Sequence, residues 1–144
     1  MPHFSDKKVL PYSPQQMFDM VSDVATYPDF LPWCKAARLY DVSDTSFHAD
    51  LMIGFKAFKE RYTSHVTLES PTSIKVNYVR GPMKHLYNHW KFEEVEGGCL
   101  VDFEVDFEFR NAAFEALIGP LFMSATKKMM MAFEDRAKEL YAEP

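Results

Sequence analysis

Two histidines, a row of carboxylates and two cysteines are the residues whose types could do chemistry. His85 and His89 stand four residues apart, but no cysteine or carboxylate is spaced to complete a tetrahedral metal set. They read as surface or turn histidines, and no metal site is expected. Asp102, Glu104, Asp106 and Glu108 could suggest paired carboxylates for acid–base work. Their strict alternation with Val101, Phe103, Val105, Phe107 and Phe109 sends all four to the face opposite the apolar one, where water solvates them. Cys34 and Cys99 are too few for a disulfide framework, match a reducing compartment and read as buried thiols. The chain has no nucleophile elbow, Walker loop, dinucleotide glycine fingerprint or His-Glu-x-x-His helix. Enzymatic activity has no positive signal, and no catalytic residue is assigned.

What remains is apolar. Of 144 residues, 47% are hydrophobic and 15% aromatic, with 13 Phe and 9 Met, while 26% are charged. That is a soluble globular profile, long enough for one domain over residues 1–144 with a sizeable core or a core plus a cavity. A formal net charge of -5 gives no general attraction to phosphate backbones, so nucleic acid is an unfavoured partner and DNA is not expected. No apolar run approaches a spanning helix and the N-terminus lacks a signal peptide's regions, which makes a cytoplasmic protein the expectation.

The elements that must position these side chains follow from periodicity. Phe4 to Leu10 reads as a strand. Ser13, Pro14 and Gln16 then supply an N-cap, an N1 proline and a capping-box partner for a helix whose Met17, Phe18, Met20, Val21 and Val24 bury one face. Pro28 and Pro32 bracket Phe30 and Leu31, with Trp33 after them, so an apolar segment falls where no long helix can form. It is either a short second helix or a greasy loop. From Ala36 to Arg110 the period is two, giving some six antiparallel strands, with the clearest alternation from Val101 to Phe109. Asn111 caps a helix of about thirty residues. Phe114, Leu117, Ile118, Leu121, Phe122, Ala125, Met129, Ala132 and Phe133 form its apolar stripe. Gly119 and Pro120 should bend it, and of Met129, Met130 and Met131 at least one must leave the stripe. This is an α+β arrangement: a curved antiparallel sheet covering its apolar face with the last helix.

Specific strings add to this. Tyr27-Pro-Asp-Phe-Leu-Pro-Trp-Cys34, Glu60-Arg-Tyr-Thr-Ser64, Gly81-Pro-Met-Lys84, Trp90-Lys-Phe92 and Asp102 to Arg110 occur together with Ala132-Phe133 and Arg136-Ala-Lys-Glu-Leu-Tyr141. Along almost its full length the chain resembles the coenzyme Q-binding family of START-like, helix-grip proteins. That family includes mitochondrial quinone-binding proteins needed for respiration and a bacterial branch described as a ribosome-association toxin. Trp33, the Glu60–Ser64 string and the Cys99–Arg110 strand look closer to the quinone-binding branch.

The resemblance implies a helix-grip fold: about seven strands wrapped around a long C-terminal helix, with one or two short helices after the first strand. It also implies non-catalytic carriage of ubiquinone or a related polyprenyl lipid, with no catalytic cofactor. The mitochondrial members carry an N-terminal targeting extension, whereas this chain enters its first strand near Met1, so a bacterial protein at the inner face of the cytoplasmic membrane is expected.

The cavity would be lined by Trp33, by Leu51, Ile53 and Phe55, by Tyr62 and Val66, and by Val76 and Tyr78. Met83, Leu86, Asn88 and Trp90 continue it, followed by Phe103, Val105 and Phe107, then Leu117, Ile118, Leu121, Phe122 and Met129 on the helix. Tyr62, Tyr78 and Asn88 are the inner-row polar groups expected to meet a quinone ring. Phe30, Leu31 and Trp33 would form a membrane-contact lip. The rival reading is docking on the large ribosomal subunit, for which Arg38, Lys56, Lys59, Arg61, Arg80, Lys84, Lys127 and Lys128 could supply a patch. A polyketide cyclase would need cavity acid–base residues that the sequence does not place.

Overall fold

The computed structural model describes residues 3–55 and 58–141, with the side chains at 55 and 58 set aside. Lys56 and the side chain of Phe55 therefore lie outside the described residues. The elements run β1 (His3–Leu10), α1 (Pro14–Ser22), a 3-10 helix (Val24–Asp29), β2 (Cys34–Tyr40), β3 (Ser46–Phe55), β4 (Phe58–Glu69), β5 (Ser73–Arg80), β6 (Met83–Val95), β7 (Gly98–Phe109), α2 (Ala112–Lys127) and α3 (Met129–Tyr141).

The capping box forms as its residues dictate: the Gln16 N–H donates to the Ser13 hydroxyl (3.1 Å) and the Ser13 N–H to the Gln16 side-chain carbonyl (2.9 Å). The described strands make one antiparallel sheet in the order β1-β7-β6-β5-β4-β3-β2. Directly paired residues project from the same face, so register sorts the side chains. Phe103, Trp90 and Ile74 share the inner face with Val66 and Phe47. On the outer face Tyr40, His48, His65, Asn77, Tyr87 and Asp106 form one transverse row. Along β7 burial alternates residue by residue, with Cys99 through Phe109 turned inward and Asp102 to Glu108 outward.

Gly81 makes the β5–β6 turn possible at close quarters. Its backbone has φ +144°, and a Cβ there would come within 2.7 Å of the Tyr62 Cβ.

Helices α1, α2 and α3 cover the inner face. Phe133 is wholly buried and meets Trp90, Tyr27 and Phe30 edge-on, while Tyr141 donates its hydroxyl to the Gln16 carbonyl (3.0 Å). The expected long C-terminal helix is present and bent, in two pieces, α2 and α3. Helix α2 runs through Pro120, and the interruption falls at Lys128, where Thr126 has already turned its hydroxyl back onto the Phe122 carbonyl (2.9 Å). Such back-bonding competes with the helix's own ladder and bends it. The three methionines part as their spacing demands: Met130 is buried, Met129 half-buried and Met131 exposed.

Candidate functional site

Between the sheet and the helices lie two adjoining voids of about 40 and about 60 Å³. Trp33, Tyr62, Val76, Asn88 and Met129 border both. Leu86, Phe103, Val105 and Phe122 close the smaller one, and Leu51, Val66 and Trp90 the larger. These twelve were expected from the sequence. Val21, Val24, Tyr27, Ala49, Ser64, Ile74, Ala125, Thr126 and Phe133 join them. Period-two spacing could have found Ser64, which stands between Tyr62 and Val66 on the same strand face, and helical spacing could have found Thr126.

Several expected lining residues do something else. Leu117 is 72% exposed. Successive helical residues are about 100° apart, and α2 turns Ile118 and Phe122 inward, which carries Leu117 out to solvent. Ile53, Ile118 and Phe107 are buried in the core away from the voids, with Phe107 against Phe122 at 4.6 Å between centroids. Leu121 is half-buried and also outside the lining. Met83 is buried opposite Phe109, where its carbonyl accepts from Arg110 Nε (3.0 Å). Tyr78 does not face the voids either; its hydroxyl accepts the Met83 N–H (3.0 Å) and fastens the β5–β6 turn.

Of the expected membrane lip, Leu31 is buried while Phe30 and Trp33 are half-buried against the core. Leu31 is 1% exposed, and Phe30 sits edge-on to Tyr27 and Phe133 with the Arg136 guanidinium 5.1 Å from its ring. Trp33 borders the voids, and its carbonyl accepts the Gly54 N–H (2.8 Å). The 3-10 helix Val24–Asp29 ends just before these residues, with Phe30 as its C-cap, and the chain then turns Phe30 and Leu31 back onto the core.

The polar groups at the voids are few. Tyr27 donates its hydroxyl to the Val21 carbonyl, and Thr126 is spent on Phe122. Ser64 Oγ and Asn88 Oδ1 are buried with no hydrogen-bond partner. Among the described residues, no Asp, Glu, His, Lys or Arg borders either void. Burial pushes the Tyr27 and Tyr62 phenols well above their ordinary range, so both stay neutral. Burial also pushes the Cys34 thiol up to about 11, and Cys99 shifts the same way; both are free and inert.

His85 and His89 stand on the outer face beside Glu108 and Glu104, and His89 Nε2 lies 3.0 Å from the Ser73 hydroxyl. A wider depression of about 870 Å³ opens on the outside between the start of α1 and strands β5–β7. It mixes Lys75 and Lys91 with Glu69, Glu94 and Asp102 and converges on no single chemistry. No helix among the described residues is long and apolar enough to cross a membrane.

A seven-stranded sheet gripping a broken C-terminal helix, with an apolar void between them, defines a helix-grip protein of the START-like class. The chain belongs to the family described as polyketide cyclase / dehydrase and lipid transport, whose model matches residues 10–134. It is 34% identical to the ribosome association toxin RatA of Pseudomonas aeruginosa over 140 residues, which are 96% of this chain and 97% of that one. It is 32% identical to the mitochondrial coenzyme Q-binding protein COQ10 homolog B of Xenopus laevis over 143 residues, which are 96% of this chain and 59% of that one. The two identities differ by too little to place the chain in one branch. The Zhui aromatase/cyclase of Streptomyces sp. R1128 superposes with a TM-score of 0.84 at 13% identity, covering 98% of this chain and 96% of that one, a likeness of fold alone.

Proposed function

We propose that this chain is a single lipid-binding domain that holds a hydrophobic ligand with a polar end, of the polyprenyl quinone class, without transforming it. The observation that carries the reading is the pair Ser64 Oγ and Asn88 Oδ1, buried without partners beside an otherwise apolar void. Unpaired buried polar atoms cost free energy, and a native site that keeps them calls for an occupant. The lipid-transport description of the family and the name of the coenzyme Q-binding relative agree with it. Neutral phenols and a lining whose described residues include no carboxylate or imidazole favour binding over cyclisation chemistry.

Pockets for drug-sized ligands hold roughly 300–1,000 Å³, far more than the two voids offer. A quinone therefore enters only if α2 swings outward, and the interruption at Lys128 is where it can do so without disturbing α3. Each buried tail methylene contributes about 0.8 kcal/mol relative to water, nearly what a bilayer gives back. Net affinity over lipid is modest, which lets a carrier release its cargo.

Mass spectrometry of lipid extracted from the purified protein tests this: a polyprenyl quinone is expected from the wild type and its loss from Asn88→Leu. Recovery of phospholipid alone, or of no lipid at all, refutes it.

A second reading is association with the large ribosomal subunit. It is favoured by RatA's name and near-complete coverage and by cations gathered on one half of the outer sheet face. Co-sedimentation with purified bacterial large subunits tests it.

A further inference from the structure

The outer face of the sheet is divided by charge. Strands β2–β5 present Arg38, Lys59, Arg61, Lys75 and Arg80 there, whereas β7 presents Asp102, Glu104, Asp106 and Glu108. A chain with formal net charge -5 thus gathers cations on half of one surface.

Within that half the side chains are fixed by one another. Arg38, Asp50, Thr63 and Arg80 face each other along one row of the sheet. Asp50 accepts from the Thr63 hydroxyl (2.6 Å), the Tyr40 hydroxyl (3.2 Å) and Arg38 Nη2 (3.4 Å). Arg80 Nη2 donates to the Tyr40 hydroxyl oxygen (3.5 Å), so two guanidiniums from strands at opposite sides of this half converge on the Tyr40–Asp50 pair. The Arg38 guanidinium also lies 5.2 Å from the Tyr40 ring centre, yet its side chain remains 75% exposed. In the next row Tyr40 stacks on His48 (5.4 Å, 15°), and His48 lies against His65 (4.8 Å), with exposed Asn77 beyond.

Convergent, pre-positioned guanidiniums suit phosphate, which they can bind through two parallel hydrogen bonds. Beside them the half-exposed Tyr40, His48 and His65 rings offer stacking surfaces and the exposed Asn77 amide offers donors and an acceptor to bases, the mode by which proteins read unpaired RNA; His48 Nδ1 itself is buried, 3.6 Å from the Asp41 carboxylate. A bilayer would also need apolar side chains to insert, and the exposed Val42 and Val79 are isolated among polar neighbours.

We propose that the outer face of β2–β5 is an RNA-docking surface, with Arg38, Arg61 and Arg80 on the phosphate backbone and the row Tyr40, His48, His65 and Asn77 against unpaired bases. The proposal rests on the ribosome-association reading and gives it a place on the molecule.

Its test is binding to purified bacterial large subunits, followed by co-sedimentation across a salt series. Three phosphate contacts at about −0.7 each give a log–log slope of about −2, a loss of roughly twentyfold between 50 and 200 mM salt. The triple variant Arg38→Gln, Arg61→Gln, Arg80→Gln should lose most of that slope and bind at least about tenfold more weakly at low salt. Lys7→Gln removes one charge at the acidic half and should change affinity by less than about twofold.

Arg61 acts on Asp50 by charge alone and makes none of the hydrogen bonds that fix Arg38, Tyr40, Thr63 and Arg80, so Arg61→Gln alone keeps the test valid if the triple variant melts early; it should reduce the slope by about one third. Wild-type binding with an unchanged slope in these variants overturns the surface while leaving ribosome association standing. Wild-type protein that never sediments with subunits overturns the association and the surface together.

Discussion

If Ser64 and Asn88 are kept for an occupant, removing their polar atoms should stabilise the empty protein and weaken the loaded one. Ser64 is the cleaner case because it is 1% exposed and its hydroxyl has no partner. An unpaired buried hydroxyl costs about 1–3 kcal/mol. Ser64→Ala relieves that penalty and enlarges the void by about one oxygen atom, on the order of 10 Å³, which costs only about 0.2 kcal/mol. The net expectation is a gain of about 1–3 kcal/mol. For a domain of this size that raises the melting temperature by roughly 3–10 °C. Against the ligand the same change removes one hydrogen bond, about 0.5–1.5 kcal/mol, and so raises Kd about 2- to 12-fold. The assay is thermal unfolding of delipidated wild type and Ser64→Ala by circular dichroism, followed by calorimetric titration with a short-tailed quinone. A lower melting temperature for delipidated Ser64→Ala refutes the reasoning, because it means the hydroxyl is already satisfied, with water filling the void. A higher melting temperature with unchanged Kd shows that the hydroxyl does not meet the ligand.

Leu31→Ser should cost about 2–4 kcal/mol, since it empties a buried site beneath the 3-10 helix, and urea denaturation reads this directly. Exposed Leu117→Glu should stay within about 0.5 kcal/mol of wild type, whereas Phe107→Asp should abolish cooperative unfolding; circular dichroism melts separate the two. Ser13→Ala removes the α1 cap and should lower stability by about 1 kcal/mol in the same assay. The Thr63 hydroxyl, then the Tyr40 hydroxyl and the Arg38 and Arg61 charges, hold the Asp50 carboxyl below the usual carboxylate range. Its folded-state value is the lower one, so its contribution is complete above the unfolded value of about 3.9 and disappears as pH falls through the folded one. Wild type should therefore exceed Asp50→Asn in urea resistance near neutrality, and the difference should vanish toward about pH 2.

Regular alternation and capping were legible in the sequence because each depends on near neighbours. The Val101–Phe109 row and the Ser13–Gln16 box form as their spacing dictates. What was not legible depends on volume and direction. The apolar loop from Tyr27 to Trp33 looked too greasy for solvent, and it is; the sequence does not say that the chain would turn Leu31 and Phe30 back onto the core just after the 3-10 helix. A helical stripe that counts both Leu117 and Ile118 cannot bury both well, and only contact with β7 chooses between them. Composition announced an aromatic interior, but whether the rings fill that interior or leave it open is a small difference between large volumes. Here Phe103, Trp90 and Phe133 fill most of it.

Trp33 and Trp90 are the chain's two tryptophans, and both border the larger void. In optical terms, all of the protein's indole emission arises at the place where a ligand would sit. A saturated lipid entering there changes only the polarity around the two rings and shifts the colour of the emitted light. A quinone accepts electrons from an excited indole at contact and extinguishes the light instead. One unlabelled sample in a fluorimeter can therefore report both that the void has filled and what kind of molecule has filled it.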